Sequence, residues 1–430
     1  MEKIYHKLFY SIGLLCTMNT LSIASIGVYN YLIVILLSIR LIQILLSKKK
    51  NVYLSSKNIL WYMFFLIMFI SLIHSSLFMP NIWFKESFSL TLKFAIYILG
   101  LMFLFGNNNL LNYKKDFILG LYFSTIIQLL WGILQAALWY IIGLNLNEIV
   151  FGNILNIGGG NINWQSSIIG SAIRLTGFSW EAANFALVML IGWSLAKSNI
   201  LKSLFILALV FSYSKTGFLC MFILGIIRFF IVLKNIKYNK ILVFKFNIII
   251  KCMMGIVLCI IIFIIFEDII MEMINTATTL YEIVKISIFT DEDYSGNIHK
   301  SYYLMLGNVV NNMSLWQCFF GYGTFSAGYP YGLYNIVPYG TEQVWNPESD
   351  FITIIVGNGF LGIIIYYLIM IKAYFSTLEI KERYIILSIF ICGITYLFIR
   401  GTWSCLLLLF ISLQTRGIKN EKEEKNDVFI

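Results

Sequence analysis

The chain has 430 residues, of which 59% are hydrophobic and 12% charged, with a mean hydropathy of +0.82. Soluble domains carry about 25% charged residues, so this composition excludes an ordinary soluble fold and marks an integral membrane protein. The net charge of +10 comes without basic runs interleaved with aromatics, which argues against nucleic-acid binding. The apolar stretches are helix-length, unlike the strands of an outer-membrane barrel.

Apolar segments fall at about 8–26, 29–46, 58–76, 89–106, 116–144, 183–197, 203–214, 216–233, 248–266, 350–371, 384–399 and 402–415. Twelve predicted spans make an all-α polytopic membrane protein, one integral domain over residues 1–430. The first stretch follows Lys3 and Lys7 and lacks a small-residue cleavage site, so it reads as a retained span. With the N-terminus inside, the inner connections hold Lys48, Lys49, Lys50 and Lys57, then Lys114 and Lys115, then Lys197 and Lys202. Lys234, Lys237, Lys240 and Lys245 follow, then Lys372, Lys381 and Arg383. The outer connections carry only Lys85, Arg174, Lys215, Lys285, Lys300 and Arg400. By the positive-inside rule this asymmetry puts both termini in the cytoplasm, in a multi-pass protein of the cytoplasmic (inner) membrane. The tail at 416–430 reads as a solvated cytoplasmic end.

Two extracytoplasmic loops are long, 145–182 and 267–349. A structureless loop of about 80 residues is improbable. Short helices are expected near 267–287 and 301–313, followed by an aromatic and glycine-rich stretch at 321–332. The aromatics of 315–334 suit carbohydrate stacking, and interfacial belts explain such residues equally well. The seven cysteines show no C-x-x-C spacing, and no His/Asp/Glu spacing supports a metal site.

Two junctions stand apart from the rest. Residues 203–233 divide into two spans at S-Y-S-K-T-G (212–217), because one long span would invert the charge pattern downstream. The first is about 20 Å long at the helical rise of ~1.5 Å, against a hydrocarbon core of about 30 Å. The tip bearing Lys215 is therefore expected below the outer surface, lining a wet, protein-walled cavity. The same holds where 384–399 and 402–415 meet at Ile399-Arg400-Gly401-Thr402. Arg174 precedes a segment that re-enters the membrane. One outward pocket receiving Arg174, Lys215 and Arg400 is the expectation. A lone cation at a span end usually snorkels, but all three of these stand on the side the charge rule disfavours.

Acids share that face: Glu181, seven residues after Arg174, and Glu348 with Asp350 where the chain re-enters the membrane. Each is open to a role as structural partner, substrate hydrogen-bonder or general base. His299 and Lys300 are external neighbours. Gln128 and Gln135, one heptad apart, either face the cavity or pack helix against helix.

The pieces R-L-T-G-F-S-W-E-A-A-N-F-A (174–186), S-Y-S-K-T-G (212–217), G-Y-G-T-F-S (321–326) and N-P-E-S-D-F-I-T-I-I-V-G-N-G-F-L-G (346–362) carry a resemblance. In their order and placement the chain resembles the O-antigen polymerase and O-antigen ligase superfamily, which includes capsule polymerases, over about residues 170–370. The resemblance implies a glycosyltransferase using a polyprenyl-pyrophosphate-linked oligosaccharide, such as one on undecaprenyl pyrophosphate, in cell-envelope polysaccharide biosynthesis. It implies Arg174 as a phosphate or glycan contact, with Glu181 as its neighbour and Lys215 in a place often held by Arg. Lys300 stands in for an Arg common at the start of 299–305. Ligases typically carry a His near the end of the long outer loop. This chain reads N-P-E-S-D (346–350) there, which favours polymerase over ligase.

The expected function is thus polymerisation of lipid-linked repeats into capsule or O-antigen at the outer face, without metal or cofactor. Arg174, Arg400 and Lys215 are expected to stabilise the leaving pyrophosphate. Glu348 is the first choice as base and Glu181 the second, with His299, Lys300 and Asp350 as substrate contacts. Expected partners are membrane lipid, a chain-length regulator and a flippase. The alternatives are a ligase that hands glycan to another acceptor, or a lipid-linked oligosaccharide flippase or exporter. One-sided cations and the lack of an internal repeat count against the flippase.

Overall fold

Long apolar runs with few breakers fold as helices, because only a helix satisfies its own backbone without water. The computed structural model describes residues 1–23, 26–47, 55–155, 168–169, 172–179, 181–238, 294–333, 344–399 and 402–413, with backbone only for 229–238 and 294–301. The helices are α1 (Glu2–Leu15), α2 (Val28–Leu46), α3 (Ile59–Phe78), α4 (Asn81–Phe94), α5 (Gly100–Ile142), α6 (Ala182–Leu195) and α7 (Asn199–Phe211). They continue as α8 (Lys215–Tyr238), α9 (Tyr294–Asn311), α10 (Leu315–Phe320), α11 (Gly328–Leu333), α12 (Asp350–Ser376), α13 (Ile380–Thr395) and α14 (Trp403–Ser412). The strands pair as two small antiparallel hairpins, β1 (Ser22–Ile23) with β2 (Ile26–Gly27) and β3 (Ile168–Ile169) with β4 (Ala172–Ile173). The chain divides into two compact units, Met1–Leu224 with Asn308–Ile430, and Gly225–Gly307. In the second, the described backbone is helical.

Among the described residues the chain is mostly helical, as expected, with two small strand hairpins besides. Of the twelve expected spans, four described helices have the length and apolarity to cross a membrane: Val28–Leu46, Ser56–Phe78, the kinked run Asn81–Ile142 and Asp350–Ser376. Ala182–Leu195, Asn199–Phe211 and Trp403–Ser412 are shorter apolar helices. The expected span at 248–266 and the helix at 267–287 lie outside the described residues. The helix expected at 301–313 is α9, which begins seven residues earlier, at Tyr294.

Among the boundaries that differ from expectation, three have a local reason. The first span was expected over 8–26, but α1 stops at Leu15. Beyond it, Thr17 gives its carbonyl and hydroxyl to Gln128 Nε2 at 3.1 and 2.9 Å, so α5 side chains replace the next helical turn. A loop was expected between 106 and 116, but the chain stays helical apart from one break at Gly106 (φ 69°, ψ 161°). α12 is likewise broken at Gly359 (φ 71°), which leaves a short first half, 350–358, ahead of the longer apolar run.

α1 lies directly on α5, backbone to backbone. A Cβ on Gly13 would stand 2.1 Å from Phe117 O, and one on Gly120 would stand 2.1 Å from Tyr10 O. Small residues at such crossings let apolar helices pack without a hydrophobic driving force from water. Gly120→Val is therefore expected to destabilise the fold by about 1–3 kcal/mol through overpacking, read as a lower thermal midpoint in detergent. An unchanged midpoint would contradict the contact.

α12 and α13 are joined through Thr377–Glu379 and run antiparallel, with a polar cluster at each end. At the connecting end Lys114 Nζ meets Glu382 Oε2 at 3.0 Å and Ile411 O at 3.3 Å, with both side chains buried. Glu382 also accepts from the Thr377 hydroxyl, Arg383 Nη2 donates to Thr377 O at 3.1 Å, and Lys372 Nζ donates to Lys57 O. All the cations here are ones the charge pattern assigns to inner connections. The other end holds the candidate site.

Candidate active site

The segment that carries Arg174 is held from below by α5. Gln135 Oε1 accepts from Thr176 N at 3.2 Å and Gly177 N at 3.4 Å, and Gln128 Oε1 accepts from Ser179 Oγ at 3.3 Å. Asn147 Nδ2 donates to Thr176 Oγ1 at 2.7 Å and Gly177 O at 3.0 Å, while Trp131 Nε1 donates to Asn147 Oδ1 at 2.7 Å. Both glutamines are fully buried. Of the two roles open to them, they take neither cavity lining nor plain helix packing. They supply hydrogen bonds to the 176–179 loop, pairing backbone and side-chain groups that are buried there.

On its other side this segment pairs with the α7–α8 turn, Leu175 N donating to Phe211 O at 3.1 Å. α7 ends at Phe211 and α8 begins at Lys215, so the break expected at S-Y-S-K-T-G is present. Lys215 is exposed at the first position of α8. Its neighbour Thr216 accepts from Thr395 Oγ1 at 2.8 Å, which ties this turn to the end of α13.

Tyr396 follows immediately and joins the site together. Its hydroxyl donates to Glu181 Oε2 and accepts from Asn184 Nδ2 at 3.2 Å. Glu181, Glu348 and Asp350 all lie within electrostatic reach of that hydroxyl. Arg174 stands close enough to Glu181 and Tyr396 to feel both. Burial pulls the Arg174 guanidinium below its usual value, opposed by Glu181 and Tyr396, and an arginine starting so high stays cationic. Its Nε is buried and has no hydrogen-bond partner among the described residues. Leaving such a donor unpaired costs about 1–3 kcal/mol, a cost an incoming anion would remove.

The N-P-E-S-D segment clasps the turn that leads to Arg400. Ser349 Oγ donates to Ile394 O at 2.6 Å, and Asp350 N donates to Tyr396 O at 3.2 Å. Asp350 Oδ1 accepts from Phe398 N at 2.7 Å and Ile399 N at 2.9 Å. Asp350 is 1% exposed, so this geometry gives it a clamping task on the 398–399 backbone, where the sequence suggested a substrate contact. Glu348, two residues earlier, is exposed. α13 ends at Thr395, four residues before the junction expected at 399–402, and α14 starts at Trp403 and has only 10 residues.

G-Y-G-T-F-S packs against the V-G-N-G of α12. Tyr322 N donates to Val356 O at 3.0 Å, Gly323 N to Gly357 O at 2.9 Å, and Asn358 Nδ2 to Thr324 Oγ1 at 2.8 Å. Gly321 (φ 76°) and Gly359 (φ 71°) each lie about where a Cβ would strike the opposing backbone at 2.3 Å, and both conformations disfavour other residues. Tyr322, Phe325 and Tyr331 are buried and fill the junction, whereas Trp316 and Phe319 of the same 315–334 stretch are exposed.

The structure thus brings together Arg174, Glu181, Glu348, Asp350 and the Lys215 turn. Arg400 lies outside the described residues. His299 and Lys300 are on α9 in the Gly225–Gly307 unit, where only the backbone is described. Sequence reasoning missed Tyr396 and Asn184. A tyrosine ending an apolar run reads as an interfacial anchor, although its position four residues before Arg400 was a usable signal.

This arrangement can be set beside known proteins. Residues 200–367 match the family model described as O-antigen ligase. The match supports the O-antigen ligase and polymerase superfamily and, through it, a ligase- or polymerase-type function in polysaccharide assembly. It takes in the Lys215 turn, G-Y-G-T-F-S and N-P-E-S-D, and leaves Arg174 and Tyr396 on either side. No curated protein matches the chain.

Proposed function

We propose that this protein polymerises polyprenyl-pyrophosphate-linked oligosaccharide repeats at the outer face of the cytoplasmic membrane. The growing chain on its lipid pyrophosphate is the donor, and a new lipid-linked repeat is the acceptor. An acceptor hydroxyl attacks the donor's anomeric carbon, and polyprenyl pyrophosphate departs with the bonding electron pair. The observation that carries this reading is the half-buried Arg174, its buried Nε without a partner among the described residues, within electrostatic reach of Glu181 and Tyr396 and next to the Lys215 turn. Fixed cations at the leaving group lower the barrier as its charge grows. Planar arginine suits bidentate contact with phosphate, and Lys215 adds a point charge.

Orientation is supported by the two ends of the α12–α13 pair. Lys57, Lys114, Lys372 and Arg383 gather at one end, which belongs in the cytoplasm by the positive-inside rule. The Arg174 cluster is then outside, and both termini are inside. The N-P-E-S-D sequence, without histidine, supports polymerase over ligase. Glu181 displaces Glu348 as first choice of base, because the tyrosine contact fixes it beside Arg174. Metal-free catalysis, and partnership with a chain-length regulator and a flippase, belong to the same proposal.

Arg400→Ala tests it in cells. Loss of polymer with accumulation of single lipid-linked repeats is expected, a fall of about 10²–10³-fold in elongation for a lost transition-state contact. An unchanged chain-length ladder would remove Arg400 from the reaction.

A further inference from the structure

Glu181 is the N-cap residue of α6, in extended conformation (φ −138°, ψ 150°), yet its side chain does not cap the helix. An acidic N-cap ordinarily accepts from the first-turn amides, worth about 1 kcal/mol. Here the carboxylate is turned instead to the Tyr396 hydroxyl. Asn184, one helical turn on, donates to the same hydroxyl at 3.2 Å, so residues i and i+3 of α6 hold it between them. The hydroxyl accepts from the amide while it donates to the acid, and such chains of hydrogen bonds strengthen one another.

Tyr396 is itself held firmly. Its N–H donates to Cys392 O at 2.9 Å, its carbonyl accepts from Asp350 N at 3.2 Å, and its ring lies 4.9 Å from that of Phe398. The residue is 9% exposed, whereas Glu181 is exposed. A rigid, buried donor therefore grips an acid that is open to substrate.

We infer that Tyr396 is a positioning residue: its hydroxyl, steadied by Asn184, sets Glu181 beside Arg174 as the carboxylate that meets the acceptor hydroxyl. This rests on the transfer reaction proposed above. As the acceptor oxygen bonds the anomeric carbon, its proton passes to Glu181. The anomeric C–O bond to pyrophosphate breaks, its electron pair leaves on the phosphate oxygen, and Glu181 later releases the proton to solvent. Tyr396 keeps its own proton throughout. Losing its donated hydrogen bond makes the charged carboxylate less favourable.

The test is a kinetic double-mutant cycle on purified full-length protein, with synthetic polyprenyl-pyrophosphate-linked repeats as donor and acceptor. Tyr396→Phe is expected to lower kcat about 10–100-fold, as for a misplaced catalytic group. The donor KM should stay within about twofold, since uniform binding is untouched. The acidic limb of the rate profile should move to higher pH. Tyr396→Phe combined with Glu181→Gln should be no slower than Glu181→Gln alone, whereas effects at independent sites multiply. Asn184→Ala, a smaller disturbance, should lower kcat several-fold by the same route. Wild-type kcat in Tyr396→Phe, or multiplying effects of Tyr396→Phe and Glu181→Gln, overturns the inference. A wild type that transfers glycan only to another acceptor defeats the polymerase reading, while the cycle is still read on that acceptor. A wild type with no transfer to any acceptor overturns both.

Discussion

Arg174→Ala is expected to slow glycan transfer by about 10²–10³-fold, the loss seen when one preorganised donor to a developing anion is removed. The guanidinium is half-buried, with an unpartnered Nε, and its segment is fixed by Gln128, Gln135 and Asn147. Removing its charge should leave this scaffold in place, so the variant should fold and fail in turnover. Arg174→Lys separates two contributions. If two parallel N–H contacts to phosphate matter, lysine restores charge but not rate. Full activity in Arg174→Lys would reduce the residue to a point charge. Initial rates of elongation, measured beside thermal midpoints in detergent, make both comparisons.

Glu181→Gln should have the second large effect, a loss of about 10²–10⁴-fold for a missing general base. Glutamine keeps the shape and accepts from the Tyr396 hydroxyl through its carbonyl oxygen, so the neighbourhood survives while proton acceptance does not. Glu348→Gln should cost far less. Glu348 is exposed and two residues from the Asp350 clamp, and the Tyr396 hydroxyl donates to Glu181. The opposite ranking in single-turnover rates would return the base to Glu348.

Much of this organisation was legible in the residues. The break at S-Y-S-K-T-G was visible because only a reversal there keeps the charge pattern consistent, while the junction expected at 399–402 from two short apolar runs begins four residues earlier, after Thr395. Arg174 and Glu181 stood out because cations and acids are rare and costly in so apolar a chain, and the structure groups both with Tyr396. What escaped was decided by side-chain hydrogen bonds between distant segments. Gln128 meets Thr17 and Ser179 across gaps of 111 and 51 residues, and no local pattern encodes such pairs. Leu15 ends α1 for the same reason.

Asp350 read as a substrate contact where the chain re-enters the membrane, and it is buried and holds the 398–399 backbone. Composition records that a carboxylate is present, not which amides it accepts from. The aromatics of 315–334 read as suited to sugar stacking or to an interfacial belt, and Tyr322 and Phe325 of G-Y-G-T-F-S among them are buried. Gly321 and Gly359 bring two backbones into contact there, and the rings fill the junction.

The most direct test supplies purified protein in lipid vesicles with synthetic polyprenyl-pyrophosphate-linked repeats on the outer leaflet, in the presence of a chelator. A ladder of longer glycans, with one polyprenyl pyrophosphate released per added repeat and lost in Arg174→Ala, is the expected result. Repeats that cross the bilayer unelongated, or a ladder that persists in Arg174→Ala, would contradict it.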